Sequence, residues 1–362
     1  MAGAIAVVSF KENPEVQMLL PPQQSSSAKA VARPWQWRLI RTIRILKNTV
    51  LHIAATFEPR RWRATPVPDV SIENTSICNS HCVFCANDIM RRPRQPMKAD
   101  IFRKAVIEAV EMGATAVNFS VMIGDPLLDT ELLERARYVK SFPQVRETGF
   151  TTTLQWLHRF DLNEFFESGF DWIVVSTTLS GREQYRNFFG VDKYDAMLAN
   201  LIALLTENHK RKKPIEVVLS IKPTLERRKD ILNHPDFRRV QSLTDQNLSK
   251  QINRERFLVM DWGGAVSLPS YLRPLPLWPR QRRPCGRLLR NLLVYSNGQV
   301  CACNCVDFNA SSELILGNVK EMPLAEMWNG ERIRKIRSDW RTGRRIPAIC
   351  STCQVYRPGP QN

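Results

Sequence analysis

Nine cysteines in this 362-residue chain fall into two tight groups. The first is Cys78-x3-Cys82-x2-Cys85, directly after an apolar stretch that reads as a strand. A structural zinc ion takes four ligands at pairwise spacing, whereas three thiolates on one loop suit a four-iron, four-sulfur cube. Three thiolates leave the fourth iron open to donor atoms of a substrate or cofactor. An open iron implies chemistry; a closed cluster only passes electrons. The second group is Cys285, Cys301-Ala302-Cys303-Asn304-Cys305 and Cys350-x2-Cys353. On an extended segment Cys301, Cys303 and Cys305 would share one face, because strand side chains alternate. This group has enough thiols for a zinc site as well, so both metals stand as alternatives.

The elements that must hold these loops follow a repeating pattern. Strands are predicted over 70–75, 116–122, 147–153, 172–177, 215–221 and 257–260, and helices over 100–112, 128–140, 162–168 and 194–205, the first opened by Asp100 as N-cap. Six apolar strands, mostly separated by helices, predict an α/β fold with a parallel sheet, doubly wound or barrel-like. After Asp261 the chain turns to Pro, Arg and Cys, and a domain boundary is expected there. Six arginines (273, 280, 282, 283, 287 and 290) and no acid lie between Trp262 and Val306, which suits an anion. Residues 1–32, with Pro21 to Ser27, have the composition of a flexible leader. Over 33–63, basic residues accompany Leu39, Ile43, Leu46, Val50 and Ile53 at helical spacing. Such a basic amphipathic helix suits peripheral contact with an anionic membrane, a docked partner, or packing on the main domain.

Apolar residues at 43% and charged residues at 24% fit a globular protein and exclude a wholly disordered or fibrous one. A net charge of +17 calls for anionic company: nucleic acid, membrane surface, phosphorylated substrate or anionic metal clusters. No apolar run reaches the roughly 18 residues of a membrane span, and the start lacks the pattern of a signal peptide. A cytoplasmic, reducing location is therefore expected, where clustered cysteines bind metal rather than form disulfides. G-x-G-x-x-G, G-x4-G-K-[ST], H-E-x-x-H and G-x-S-x-G are all missing, which removes the anchors of nucleotide-fold, metalloprotease and hydrolase readings.

At Cys78-x3-Cys82-x-Phe84-Cys85 the chain resembles the radical S-adenosylmethionine (SAM) superfamily, whose signature is C-x3-C-x-aromatic-C after the first barrel strand. The resemblance implies a partial (β/α)6 TIM-like barrel over 67–265 in which Cys78, Cys82 and Cys85 ligate a 4Fe-4S cluster. Phe84 would lie along the adenine, and the open iron would chelate the methionine end of SAM before its cleavage to a 5'-deoxyadenosyl radical. The family's Gly-Gly-Glu-Pro element, which meets the methionine amine, corresponds to Ile123-Gly124-Asp125-Pro126, departing from it at Ile123 and Asp125. Ser176 matches a serine frequent at the end of the fourth strand, although the acid usual two residues later is Thr178.

Gly298-x4-Cys303, Leu316-Gly317-Asn318-Val319, Leu324-x3-Trp328 and the closing Cys350-x2-Cys353 resemble the cysteine-rich SPASM extension, or its shorter twitch form, over 266–362. That implies one auxiliary 4Fe-4S cluster on Cys285, Cys303, Cys350 and Cys353, with Cys301 and Cys305 left over. The expected function is hydrogen-atom abstraction, completed as a two-electron dehydrogenation of a sugar-like or anionic small molecule, with the auxiliary cluster as acceptor. Asp261 is a candidate base, and a flavodoxin or ferredoxin the expected donor. Ranked behind it are a peptide maturase and an RNA-modifying enzyme, the latter for +17 and for Trp35, Trp37 and Trp62 among arginines. A non-catalytic iron-sulfur or zinc scaffold is the remaining alternative.

Overall fold

The computed structural model describes residues 64–356, apart from 66–67, 120–121, 223, 250–251, 253–257 and 275–283, together with residues 42, 43, 46 and 50. Strands and helices alternate: β1 (Asp69–Ile72), α1 (Ala99–Glu111), β2 (Val117–Asn118), α2 (Leu132–Lys140), β3 (Gly149–Thr152), α3 (Leu162–Glu167), β4 (Trp172–Thr177), α4 (Arg182–Phe189), α5 (Tyr194–Lys210) and β5 (Glu216–Ile221). Then come α6 (Arg228–Asn233), α7 (Pro235–Gln241), β6 (Leu258–Val259) and β7 (Arg273–Pro274). The C-terminal part adds β8 (Asn291–Val294), β9 (Gln299–Cys301), β10 (Ile315–Asn318), α8 (Leu324–Asn329), α9 (Glu331–Arg341) and α10 (Ala348–Ser351).

β1 pairs with β2, and β3, β4 and β5 pair in order, all parallel. Single bridges at Ala116 with Glu147 and Phe119 with Phe150 carry the sheet from β2 to β3, so it curves as a partial TIM-like barrel. The period of two is explicit in β4 and β5: Ile173, Val175, Thr177, Val217, Leu219 and Ile221 are buried on one face, while Ser176 and Ser220 are half-exposed on the other. Phe119, Phe150, Phe165 and Phe170 form an aromatic cluster on the outer face of β2 and β3, with Phe150 and Phe170 centroids 4.7 Å apart. Helix α1 supplies its share of this core through Ile101, Phe102, Ala105, Val106 and Ala109, one apolar stripe. Its N-cap is Lys98, not Asp100, which lies in the first turn; there its charge still meets the positive end of the helix dipole.

The predicted sixth strand exists as β6, but it pairs with β7. On the other edge β8 runs parallel to β1, with Val70 opposite Leu292 and Ile72 opposite Val294, and the antiparallel β8–β9–β10 hairpins extend the sheet. The C-terminal part thus adds strands to the same sheet, across the expected boundary at 265. A buried ion pair ties the two parts: Arg92 makes bidentate 2.5 Å bonds to Glu73, just after β1, and donates through Nε to the Phe308 carbonyl at 2.7 Å. The Arg92 guanidinium also lies 4.9 Å from the centroid of the Tyr295 ring. Removing one partner of such a pair costs about 3–5 kcal/mol. Of the expected leader and basic helix, only Thr42, Ile43, Leu46 and Val50 are described, and these are helical; the rest lies outside the described residues. Among the described residues no helix is long and apolar enough to cross a membrane.

Candidate active site

Cys78, Cys82 and Cys85 sit half-buried on the loop that leaves the C-terminal end of β1. The loop has little regular structure, so its backbone is pinned from outside. His81 N and Val83 N donate to the carbonyls of Phe189 and Phe188 at the end of α4, at 2.8 and 3.0 Å. α4 ends there because Gly190 takes φ +71°, and a Cβ on Gly190 would meet His81 Cβ at 2.5 Å. Beneath the loop, fully buried Gln155 donates to Ser80 Oγ at 3.1 Å and to the Tyr185 hydroxyl at 2.7 Å. Burial pushes the Cys78 thiol up to about 12, with the Asp125 charge adding to it, and the Cys85 thiol up to about 11. Without metal these thiols stay protonated; a cationic cluster would replace the protons and relieve their mutual repulsion.

Phe84 packs its ring 5.3 Å from Phe188, and Lys222 Nζ stands 5.9 Å from its centroid. The loop of 122–126 crosses close to β1: Gly124 has φ +142°, and a Cβ there would lie 2.4 Å from the Thr75 carbonyl oxygen. The next residue, Asp125, is buried, donates its N–H to the Ile77 carbonyl at 2.9 Å, and has its carboxylate engaged on all sides. Oδ1 accepts from Leu127 N and Thr152 Oγ1, and Oδ2 from Thr153 N and Thr153 Oγ1, at 2.7–3.1 Å. Four donors saturate a carboxylate, so Asp125 staples three strand ends together at this rim.

Residues on the sheet's inner face point into the barrel. Ladder partners of parallel strands share a face, which aligns Ser71 with Asn118 and Ser176 with Ser220. Asn118 is 1% exposed, and neither amide atom has a hydrogen-bond partner among the described residues. Lys222, two residues beyond Ser220, donates to the Ser220 hydroxyl at 2.7 Å. Together with Ser176 these groups make a polar lumen beside the cysteine loop. Thr178, where the family has an acid, is buried.

The C-terminal cysteines behave differently. Cys285, Cys303, Cys305, Cys350 and Cys353 are all under 10% exposed and line one apolar cavity closed by Leu288, Trp340 and Tyr356. Among the described residues no three His, Cys, Asp or Glu side chains converge as a single metal ion requires. Five thiols around one apolar cavity fit an iron-sulfur cluster held by cysteines. β9 ends at Cys301 and the chain then bends, so the shared face expected for Cys301, Cys303 and Cys305 is not formed. Cys301 does not line the cavity; its thiol, raised mainly by burial, lies against Asp307 and the Tyr295 hydroxyl. Arg287, raised through the charges of Cys305, Cys303, Cys285 and Cys353 despite its burial, donates to Asn304 Oδ1 at 2.9 Å, and Asn304 Nδ2 donates to Ser71 Oγ on β1 at 3.3 Å. The ring therefore abuts the lumen.

The turn after β6 bridges both cysteine sites. Trp262 Nε1 donates to the Phe84 carbonyl at 3.0 Å, and Gln354, next to Cys353, accepts from Asp261 N at 3.0 Å. Asp261 Oδ1 accepts from Gly264 N, so this candidate base lies in the turn itself. His81 faces outward to Asp88, 2.6 Å away. Arginines 280, 282 and 283, Trp35, Trp37 and Trp62 lie outside the described residues, as does the side chain of Arg273. Sequence reasoning passed over Lys222, Gln155 and Asn118, whereas Arg287 belongs to the arginine-rich stretch expected to hold an anion. Lys222 was accessible through the period of two after Ser220; Gln155 and Asn118 carry no local signal.

Both cysteine groups fall within stretches that match known protein families. The family model of the radical SAM superfamily matches residues 72–234, and that of SPASM, an iron-sulfur cluster-binding domain, matches 285–354. A probable GTP 3',8-cyclase of Pyrococcus abyssi (strain GE5 / Orsay) is 24% identical over 136 residues, 38% of this chain; the match spans 43% of that relative's length. Among solved structures, Streptococcus suis SuiB bound to precursor peptide SuiA aligns with a TM-score of 0.52 at 15% identity, over 92% of this chain and 80% of SuiB. BtrN in complex with AdoMet and 2-DOIA aligns at 0.50 and 16%, over 76% and 88% of the two chains. These likenesses concern the fold.

Proposed function

The chain belongs to the radical SAM superfamily and carries its SPASM domain, and from that premise we propose that it dehydrogenates a small, hydroxyl-rich, anionic substrate. Its cofactors are SAM, a 4Fe-4S cluster and an auxiliary iron-sulfur cluster. When bound, these supply the 5'-deoxyadenosyl radical that abstracts hydrogen and a sink for the electron left on the substrate. Cys78, Cys82 and Cys85 hold the first cluster in this reading, and Cys285, Cys303, Cys350 and Cys353 the second. Phe84 borders the adenine, Gly124 and Pro126 shape the backbone that meets the methionine amine, with Asp125 bracing it, and Ser176 is directed to the ribose.

The observation that carries the substrate class is the polar lumen: Ser71, Asn118, Ser176, Ser220 and Lys222 on one inner face. A buried amide with no partner among the described residues favours a ligand with hydroxyl or carbonyl groups, since leaving it unbonded costs about 1–3 kcal/mol. Lys222 supplies a cation for a phosphate or carboxylate. The relative named for GTP supports an anionic, sugar-bearing substrate. Asp261 is the candidate proton acceptor, and a flavodoxin or ferredoxin the expected reductant. Residues 67–265 and 266–362 are the proposed functional units.

The test is anaerobic reconstitution with iron and sulfide, then SAM, dithionite and a panel of sugar phosphates and polyols. Expected are 5'-deoxyadenosine and a carbonyl product in equal amounts, with deuterium moving from the carbinol carbon to 5'-deoxyadenosine. Stimulation by peptides alone would turn the assignment to a maturase.

A further inference from the structure

Four thiols complete a four-iron cube, yet five line the C-terminal cavity: Cys285, Cys303, Cys305, Cys350 and Cys353. The fifth does not come from simple crowding of cysteines in the sequence. Cys301 is as far from Cys303 along the chain as Cys305 is, and the chain turns it away against Tyr295 and Asp307. Cys305 is turned inward and is 7% exposed. Its thiol donates to Asn304 Oδ1 at 3.7 Å, and the same oxygen accepts from the buried Arg287. Cys303 and Cys305 thus line the same cavity as Cys285, Cys350 and Cys353.

We propose that Cys303 and Cys305 are alternative donors to the auxiliary cluster, so that either one completes its ligation when the other is removed. The proposal rests on the auxiliary-cluster reading above. One thiolate takes the place of another, so the cluster's charge and oxidation state are the same with either donor.

The test uses the full chain with Cys78, Cys82 and Cys85 all changed to alanine, which isolates the auxiliary site. After anaerobic reconstitution this parent should hold about four irons; a parent without iron would remove the auxiliary-cluster reading itself. Added to the parent, Cys303→Ala and Cys305→Ala singly should each keep about four irons, and the reduced cluster's electron paramagnetic resonance signal should differ between the two. The double variant keeps three thiols, as the first site does, so one iron loses its cysteine and the signal should differ from that of the parent and of either single variant. Cys301→Ala should change neither readout. A single variant whose signal matches the double variant's would overturn the proposal, because the thiol removed there was then the sole donor of the two. So would a double variant whose signal is the parent's. Thermal melts of each apo variant, expected to coincide with the parent's, separate loss of ligation from loss of fold.

Discussion

The three-thiol loop and the five-thiol ring are built in opposite ways. The loop holds its cysteines within eight residues, half-buried, on backbone pinned by α4, Gln155 and the Asp125 staple. The ring gathers cysteines from Cys285 to Cys353, nearly seventy residues, and seals them under Leu288, Trp340 and Tyr356. A short loop presents too few thiols to close a cluster and keeps one side accessible; a long-range ring excludes solvent and has thiols in excess. Reactivity belongs with the first and electron storage with the second. Between them, Trp262 and Asn304 keep both within reach of one lumen.

The largest separation of the two regions comes from Cys82→Ala. It should abolish 5'-deoxyadenosine formation and remove about four of about eight irons, leaving the auxiliary spectrum intact; iron analysis with an activity assay reads both. Equal loss from both sites would mean that they fold as one.

On the ring side, Trp340→Ala removes a fully buried side chain stacked on Tyr356 at 5.9 Å. Denaturant titration should show about 3–5 kcal/mol of destabilisation, and the auxiliary cluster should bleach faster in air while the first cluster keeps its rate.

A smaller effect is expected at Gly124→Ala, where φ +142° and the Thr75 carbonyl oppose any Cβ. The cost is about 1–3 kcal/mol. It should appear as a raised KM for SAM with iron content unchanged; a change confined to the ring would contradict the assignment of this loop.

The smallest signal is the pH dependence of the metal-free chain. Cys78 rises from 9.0 to about 12 on folding, chiefly by burial. The fold favours the protonated thiol, so its stabilising contribution is complete below pH 9 and declines as pH climbs toward about 12. Between neutral pH and pH 10 the loss is about 1.4 kcal/mol. Chemical denaturation at both pH values should show a gentler decline for Cys78→Ser than for the parent.

Much of the first site was legible because it is local. Cys78, Cys82, Phe84 and Cys85 fall within eight residues, and the β1 strand before them is apolar, so spacing alone set which thiols share a loop. The β4 and β5 strands were equally open, since their alternation is written residue by residue. Asp100 was misjudged as an N-cap because helix ends depend on a single φ/ψ pair, which Lys98 holds. Asp125 matched a family position, but only the approach of Thr152 and Thr153 commits its carboxylate to the protein.

Composition, spacing and strand period therefore determined an α/β fold with a parallel sheet and a cysteine loop after its first strand, because those signals act over a few residues. Long-range packing decided the rest: that β8 joins β1, that Asn118 and Lys222 face one lumen, and that Cys305 turns inward while Cys301 turns away. A residue's side of the chain after a bend depends on what packs against it, and Tyr295, Asp307 and Trp340 reach the cysteines only through the folded chain.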